Sequence, residues 1–291
     1  MVYVDNRIIT LNSQDGEKMN GTYLSNINFN FSGLLSDDKN ILRTYITVLN
    51  SQFPVSFYII EDDNNLLYYT ENSVPKTITI PIGNYNGNQM VTALNAGFAD
   101  NGSNVVSILN SQNGILKFLI AGGSSYTFLS TSTIKSILGF SSNITDTSLI
   151  TMPYQLNLLG KKKIFINSNN LRNSAFSSKS LSCVQTIATI PVDKPPYEMI
   201  SYVSVSELEK NIIFNKSVDT IDIQIVDEEN KYINFRNINW SITLCLSIEK
   251  DDKVKLEYGL FNLPQNNTLE NNIENSKKLS RDEKDLQLLE S

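Results

Sequence analysis

With 291 residues, 41% of them hydrophobic, the chain suits one large all-β domain, or one domain carrying an insertion. Its net charge of −6 leaves no broad basic field, which argues against nucleic acid as a primary partner. It has no histidine, so Ser-His-Asp and Cys-His catalysis and imidazole-ligated zinc are excluded.

The first residues, MVYVDNRIITLNSQDGEK, show neither a basic n-region nor an apolar h-region, so no signal peptide is expected. No apolar run approaches the ~20 residues of a membrane span. A soluble protein assembled in a cytosol-like compartment is expected. Alternation begins at Ile27, Phe29 and Phe31, set against Asn26, Asn28 and Asn30. A strand turns alternate side chains to opposite faces, so such a run is half buried. Residues 41–50, 55–60 and 66–70 read as further strands, and Asp62-Asp63-Asn64-Asn65 reads as the turn of a hairpin between the last two. Ile78, Ile80 and Ile82 alternate with Thr77, Thr79 and Pro81.

Met90, Val91, Leu94 and Phe98 share a helical face, which predicts a helix over 88–99. A second short helix is expected over 132–138, with Ser132 or Thr133 as N-cap and Gly139 as the stop. With Gly83, Gly87, Gly114 and Gly122-Gly123 nearby, residues 55–155 read as a compact α+β insertion. Strands then resume at 162–167, 184–192 and 198–205. Ile221, Ile223 and Ile225 form one strand face, and Asp227-Glu228-Glu229-Asn230 is expected to turn it into a partner strand at 231–235. Trp240, Ile242, Leu244, Leu246 and Ile248 form the buried face of a last strand. Cys183 and Cys245 lie in strand-like runs and are expected as buried thiols. From residue 251 to 291 charges and Asn dominate, and a tail disordered in isolation is expected, with Ser280-Arg281-Asp282-Glu283 as a candidate capping box. The fold class is thus mainly β: a β-sandwich in two parts, 1–54 and 156–250, around the insertion 55–155, with the tail 251–291.

Candidate chemistry is thin. Asp62-Asp63 and Asp227-Glu228-Glu229 offer paired carboxylates, as glycosidases use, but hairpin turns favour Asp and Asn at such places. Neither fits the spacing of an EF-hand loop. Lys161-Lys162-Lys163 is either a solvated turn or a patch facing packaged nucleic acid. Phe57, Tyr58, Tyr68, Tyr69 and Tyr85 suit a stacking platform for sugars or bases, with core packing the preferred reading. Ala121-Gly122-Gly123-Ser124-Ser125 lacks the Gly-Lys-Ser/Thr of a phosphate loop. No catalytic, cofactor-binding or metal-ligating residue is nominated.

Four segments together carry a resemblance: ILRTYITVLNSQFPVSFYIIEDDNNLLYYT (41–70), TITIPIGNYNGNQMVTALNAGF (77–98), STIKSILGF (132–140), and the pair SVDTIDIQIVDEENKYINF and NWSITLCLSIE (217–235 and 239–249). In this order they resemble the penton (minor capsid, vertex) proteins of virophages and polinton-like viruses, the mavirus type among them, over about residues 20–250. The resemblance implies a single jelly roll with an inserted domain, forming homopentamers at the fivefold vertices of an icosahedral virion. It implies the major capsid protein as partner, assembly in the host cytoplasm, and no enzymatic activity or cofactor. A receptor- or glycan-binding module of the fibre-head kind, acting through the insertion, is the alternative.

Overall fold

The computed structural model describes residues 2–19, 23–31, 41–171, 175–176, 183–205, 210–213 and 219–251; of 175–176 and 183–184 it describes the backbone alone. The strands before the insertion are β1 (Val2–Asn12), β2 (Glu17–Lys18), β3 (Asn26–Asn30) and β4 (Ile41–Pro54). Next come β5 (Leu66–Glu71), β6 (Val74–Thr79), α1 (Gly87–Asp100), β7 (Val105–Leu109), β8 (Leu116–Ile120), β9 (Tyr126–Phe128), α2 (Lys135–Leu138), β10 (Ile144–Asp146) and β11 (Leu149–Thr151). The chain then runs through β12 (Lys163–Asn167), β13 (Ala175–Phe176), β14 (Cys183–Val184), β15 (Thr186–Pro191), β16 (Met199–Val203), β17 (Asn211–Ile213), β18 (Thr220–Val226) and β19 (Ser241–Asp251).

Two large sheets follow from the alternating segments. One has the order β1-β19-β4-β16, with β17 also on β4; the other runs β15-β12-β18-β3-β2. Apart from the same-sheet pairs β2–β3, β12–β15 and β16–β17, successive strands of these two sheets alternate between them, and the last long strand lies between the first and the fourth. This is the Greek-key connectivity of a jelly roll. Register explains the burial. Ile221 lies opposite Phe29 and Ile223 opposite Ile27, so all four point inward, while Asp222 meets Asn28 on the other face. Ile164 opposite Ile190 extends the same inner face. Trp240 joins the two layers: its ring meets Phe29 at 6.4 Å and Phe53 at 5.9 Å, and its Nε1 donates to the Leu24 carbonyl.

The chain between β4 and β12 builds a separate core. A four-stranded sheet (β10-β9-β5-β6) and a three-stranded sheet (β11-β8-β7) enclose it with α1. Met90, Leu94 and Phe98 are the buried stripe of α1, as their spacing predicts. A capping box starts the helix: Gln89 N donates to Asn86 Oδ1, and Asn86 N donates to Gln89 Oε1. Tyr69, Phe98, Phe118, Tyr126 and Phe128 are fully buried, with Phe118 and Phe128 edge to face at 4.8 Å.

Several expectations are corrected. Residues 55–60 are not a strand; their backbone is tied at Val55 to Glu198 and at Ile60 to Gly83. The hairpin lies one step further on, between β5 and β6, where Asn72 and Ser73 both take positive φ (48° and 69°), as a tight two-residue loop requires. The expected partner strand at 231–235 shrinks to one bridge, Val226 to Tyr232. Ser132 and Thr133 do not cap α2; their hydroxyls accept from Tyr68 N and Leu66 N, so they stitch the loop to β5 instead. Gly139 does end α2, at φ 88°, and a Cβ there would lie 2.3 Å from the Tyr154 carbonyl oxygen. Cys245 is half-buried, not buried. The tail beyond Asp251, with its candidate capping box, lies outside the described residues.

The backbone groups into two compact units. The larger is Arg7–Asp37 and Tyr45–Leu246; the smaller takes in the described residues of Met1–Asn6, Asp38–Thr44 and Ser247–Ser291. Within the smaller, Lys250 Nζ lies 3.1 Å from Asp5 Oδ2, and Ser247 Oγ donates to Asn6 Oδ1. No helix among the described residues is long and apolar enough to cross a membrane.

Candidate functional site

The two acidic clusters are turns first. Glu61 N donates to the Asn64 side chain and Asn64 N returns to the Glu61 carbonyl. Asp227 Oδ1 accepts from the amides of Glu229 and Lys231, and Asn230 takes the left-handed conformation at φ 65°. Folding then brings the two turns together through cations. Lys231 Nζ lies 2.6 Å from Asp63 and 3.0 Å from Glu229. Arg236 lies 3.9 Å from Glu61 and covers the Tyr58 ring, 4.3 Å from its centroid. Lys161 Nζ lies 3.4 Å from the buried Asp227. These side chains border an open groove of about 670 Å³, with Tyr23, Asn157, Tyr232 and Asn234 also on its walls.

Of the six carboxylates lining the groove, Glu61, Asp63, Asp227 and Glu229 each face a lysine or arginine. A general acid is built the opposite way, with a carboxyl placed among apolar groups. Hydrogen bonds to Asp63 and then Glu229 hold the Lys231 ammonium above its ordinary pKa, so it stays charged and acts as an ionic bridge. Among the described residues no cluster of His, Cys, Asp or Glu is arranged to hold a metal ion. The groove fits polar, reversible contact better than bond-making chemistry.

The other singled-out residues scatter. Phe57 is buried against Phe235, Tyr69 lies in the insertion core, and Tyr85 donates to the Pro81 carbonyl at 2.6 Å. Tyr58 alone of the five aromatics reaches the groove, so these five do not form a stacking platform. The lysine run is not a uniformly solvated turn: Lys161 is paired with Asp227, while Lys162 and Lys163 are exposed. Gly122 and Gly123 take φ 85° and 69° in the connection from β8 to β9. Sequence reasoning missed Lys231 and Arg236: their partners Asp63 and Glu61 lie far away in the chain, although Glu229, also paired with Lys231, is only two positions off. The one local signal was the Asn-rich stretch 234–239, where Arg236 and Asn237 take φ 53° and 60°.

No protein-family model and no curated protein matches this sequence. Among solved structures, the chain is similar to the mavirus penton protein at 14% identity and a TM-score of 0.46, covering 86% of this chain and 100% of that one. It is also similar to a chain in the cryo-microscopy structure of the Sputnik virophage, at 12% identity and a TM-score of 0.36, covering 86% of this chain and 98% of that one.

Proposed function

We propose that the chain is a penton: a structural vertex protein of an icosahedral virion, assembled as a homopentamer and ringed by the major capsid protein. The observation that carries this reading is the strand order, β1-β19-β4-β16 against β15-β12-β18-β3, with its one long excursion between β4 and β12. A jelly roll serves many functions; the vertex role comes from the resemblance of residues 41–70, 77–98, 132–140 and 217–249. In this reading 1–54 and 156–250 are the shell brick, 55–155 projects outward, and 251–291 is a tail that engages neighbours. Each subunit sets two unlike surfaces against its neighbours, and such head-to-tail contacts close into a ring when the rotation fits. No catalytic, cofactor or metal residue is assigned, and host cytoplasm is the place of assembly. Native mass measurement of the full chain, alone and with its major capsid protein, tests this: a pentamer in either sample supports it, and a trimer or a lone monomer in both contradicts it.

A receptor- or glycan-binding role has one observation in its favour, the polar, tyrosine-bearing groove beside the insertion. Saturable binding of a glycan to the full chain, lost on Asp62→Ala, would support it.

A further inference from the structure

The end of the insertion holds a second polar cluster, independent of the groove and of the capsid reading. Lys76, on β6, places Nζ 2.5 Å from Glu71 Oε2, 2.9 Å from the Asn101 main-chain oxygen and 3.1 Å from Ser103 Oγ. The Asn101 carboxamide is pinned beside it: Nδ2 donates to the Thr77 carbonyl at 2.9 Å and to the Tyr69 hydroxyl at 3.2 Å. Ser103 Oγ closes the circuit, donating to Glu71 at 2.8 Å and meeting the Tyr69 hydroxyl at 2.9 Å. The cluster is largely shielded from water. Tyr69 and Tyr126 are fully buried, and the Lys76 and Glu71 side chains are only 24% and 14% exposed.

An amine and a carboxylate are thus in contact, and the carboxamide of Asn101, whose main-chain oxygen the amine binds, is linked to them through the Tyr69 and Ser103 hydroxyls against an aromatic wall. In water the amine is protonated and the amide inert. Here the lysine proton has a carboxylate in contact to receive it, and fixed geometry replaces a chance encounter. We propose that Lys76 and Asn101 become joined by an intramolecular isopeptide bond, with Glu71 as the proton carrier. Glu71 accepts a proton from the Lys76 ammonium, and the neutral Nζ attacks Asn101 Cγ. The proton then passes from Glu71 through the Ser103 and Tyr69 hydroxyls to Nδ2, the Cγ–Nδ2 bond breaks, and ammonia leaves. The attacking nitrogen sheds its extra proton to the departing ammonia. In sum, a lysine ammonium and an asparagine carboxamide become a secondary amide and an ammonium ion, with no oxidant or cofactor.

Burial pushes the Glu71 carboxyl up, but the interactions with Lys76, Tyr126 and Ser103 outweigh it and leave the group below its ordinary pKa. The ion pair is therefore the resting form and the reactive neutral pair a minor one. The linkage forms slowly and once, as a maturation step. It would tie the β5–β6 hairpin to the end of α1.

The test is the mass of the purified full chain after prolonged incubation, with fragmentation of its tryptic peptides. The expected result is a mass lower than the sequence by one ammonia, with the Lys76 peptide still attached to the Asn101 peptide. Lys76→Arg and Glu71→Gln, which keep hydrogen-bonding groups in place, should restore the full mass. A full mass in the unaltered chain overturns the proposal, whatever the variants do. So does a mass loss that survives Lys76→Arg, because Asn101-Gly102 would then have closed to a succinimide.

Discussion

The jelly roll and the insertion solve the same problem with different side chains. The jelly-roll core is mostly aliphatic: Ile164, Ile166, Ile190, Ile221, Ile223, Ile225 and Ile242 are all fully buried. These β-branched residues suit long, flat, paired strands. The insertion has strands of three to six residues and fills its interior with rings, Tyr69, Phe98, Phe118, Tyr126 and Phe128. A small body buries a smaller share of its surface, so each residue must cover more area, and aromatic rings do that. The large sheets thus depend on register, and the insertion depends on a few rings and tight turns.

The sharpest way to break this contrast is to attack each core in turn. Ile242→Asp puts a charge into a fully buried place on β19. The cost, roughly 4–5 kcal/mol or more, is comparable to the whole stability of a domain, so soluble expression should be lost. Phe128→Ala should cost about 3–5 kcal/mol, and limited proteolysis should then cut within 55–155 while the jelly-roll segments persist. Loss of both regions together would show that they share one core. Gly139→Ala meets both a φ of 88° and the Tyr154 carbonyl, so a loss above ~1 kcal/mol is expected in urea unfolding.

The contrast also explains what could be read in advance. β18 and β19 were legible because apolar and polar side chains alternate along them. β1, β7 and β8 were not: Val2, Val4, Ile8, Val106, Ile108 and Leu119 are exposed, so the outer face is apolar too and the period vanishes. Residues 55–60 have strand composition, yet Val55, Ser56, Phe57 and Ile60 are buried along an irregular segment without a ladder. The turns that carry the groove's acids were legible from Asp and Asn. The groove itself was not, since Lys231 reaches Asp63 across 168 positions of chain.

Smaller effects sharpen the picture. Asn86→Ala removes the α1 cap and should cost ~1 kcal/mol, read as a lower midpoint of insertion unfolding. Lys231→Met cuts exposed pairs and should change stability by under ~1 kcal/mol, shrinking further in high salt. A larger, salt-resistant loss would make the groove a structural clamp. The smallest effect is at Asp146. Backbone bonds from Ser148 and Leu149, with the Ser148 hydroxyl and Thr147 N, lower its pKa to about 2. Its contribution is therefore complete above the unfolded carboxylate value of ~3.9 and is lost as pH falls through about 2. Asp146→Asn should flatten that part of the acid unfolding curve, and an unchanged curve would remove this turn from the account.

The most direct test of the proposed vertex role is a cryo-microscopy map of icosahedral particles assembled in cells that express this chain. The account predicts jelly-roll density from residues 1–54 and 156–250 around each fivefold axis, with 55–155 directed outward. Vertices built from another protein, or this chain missing from the shell, would contradict it.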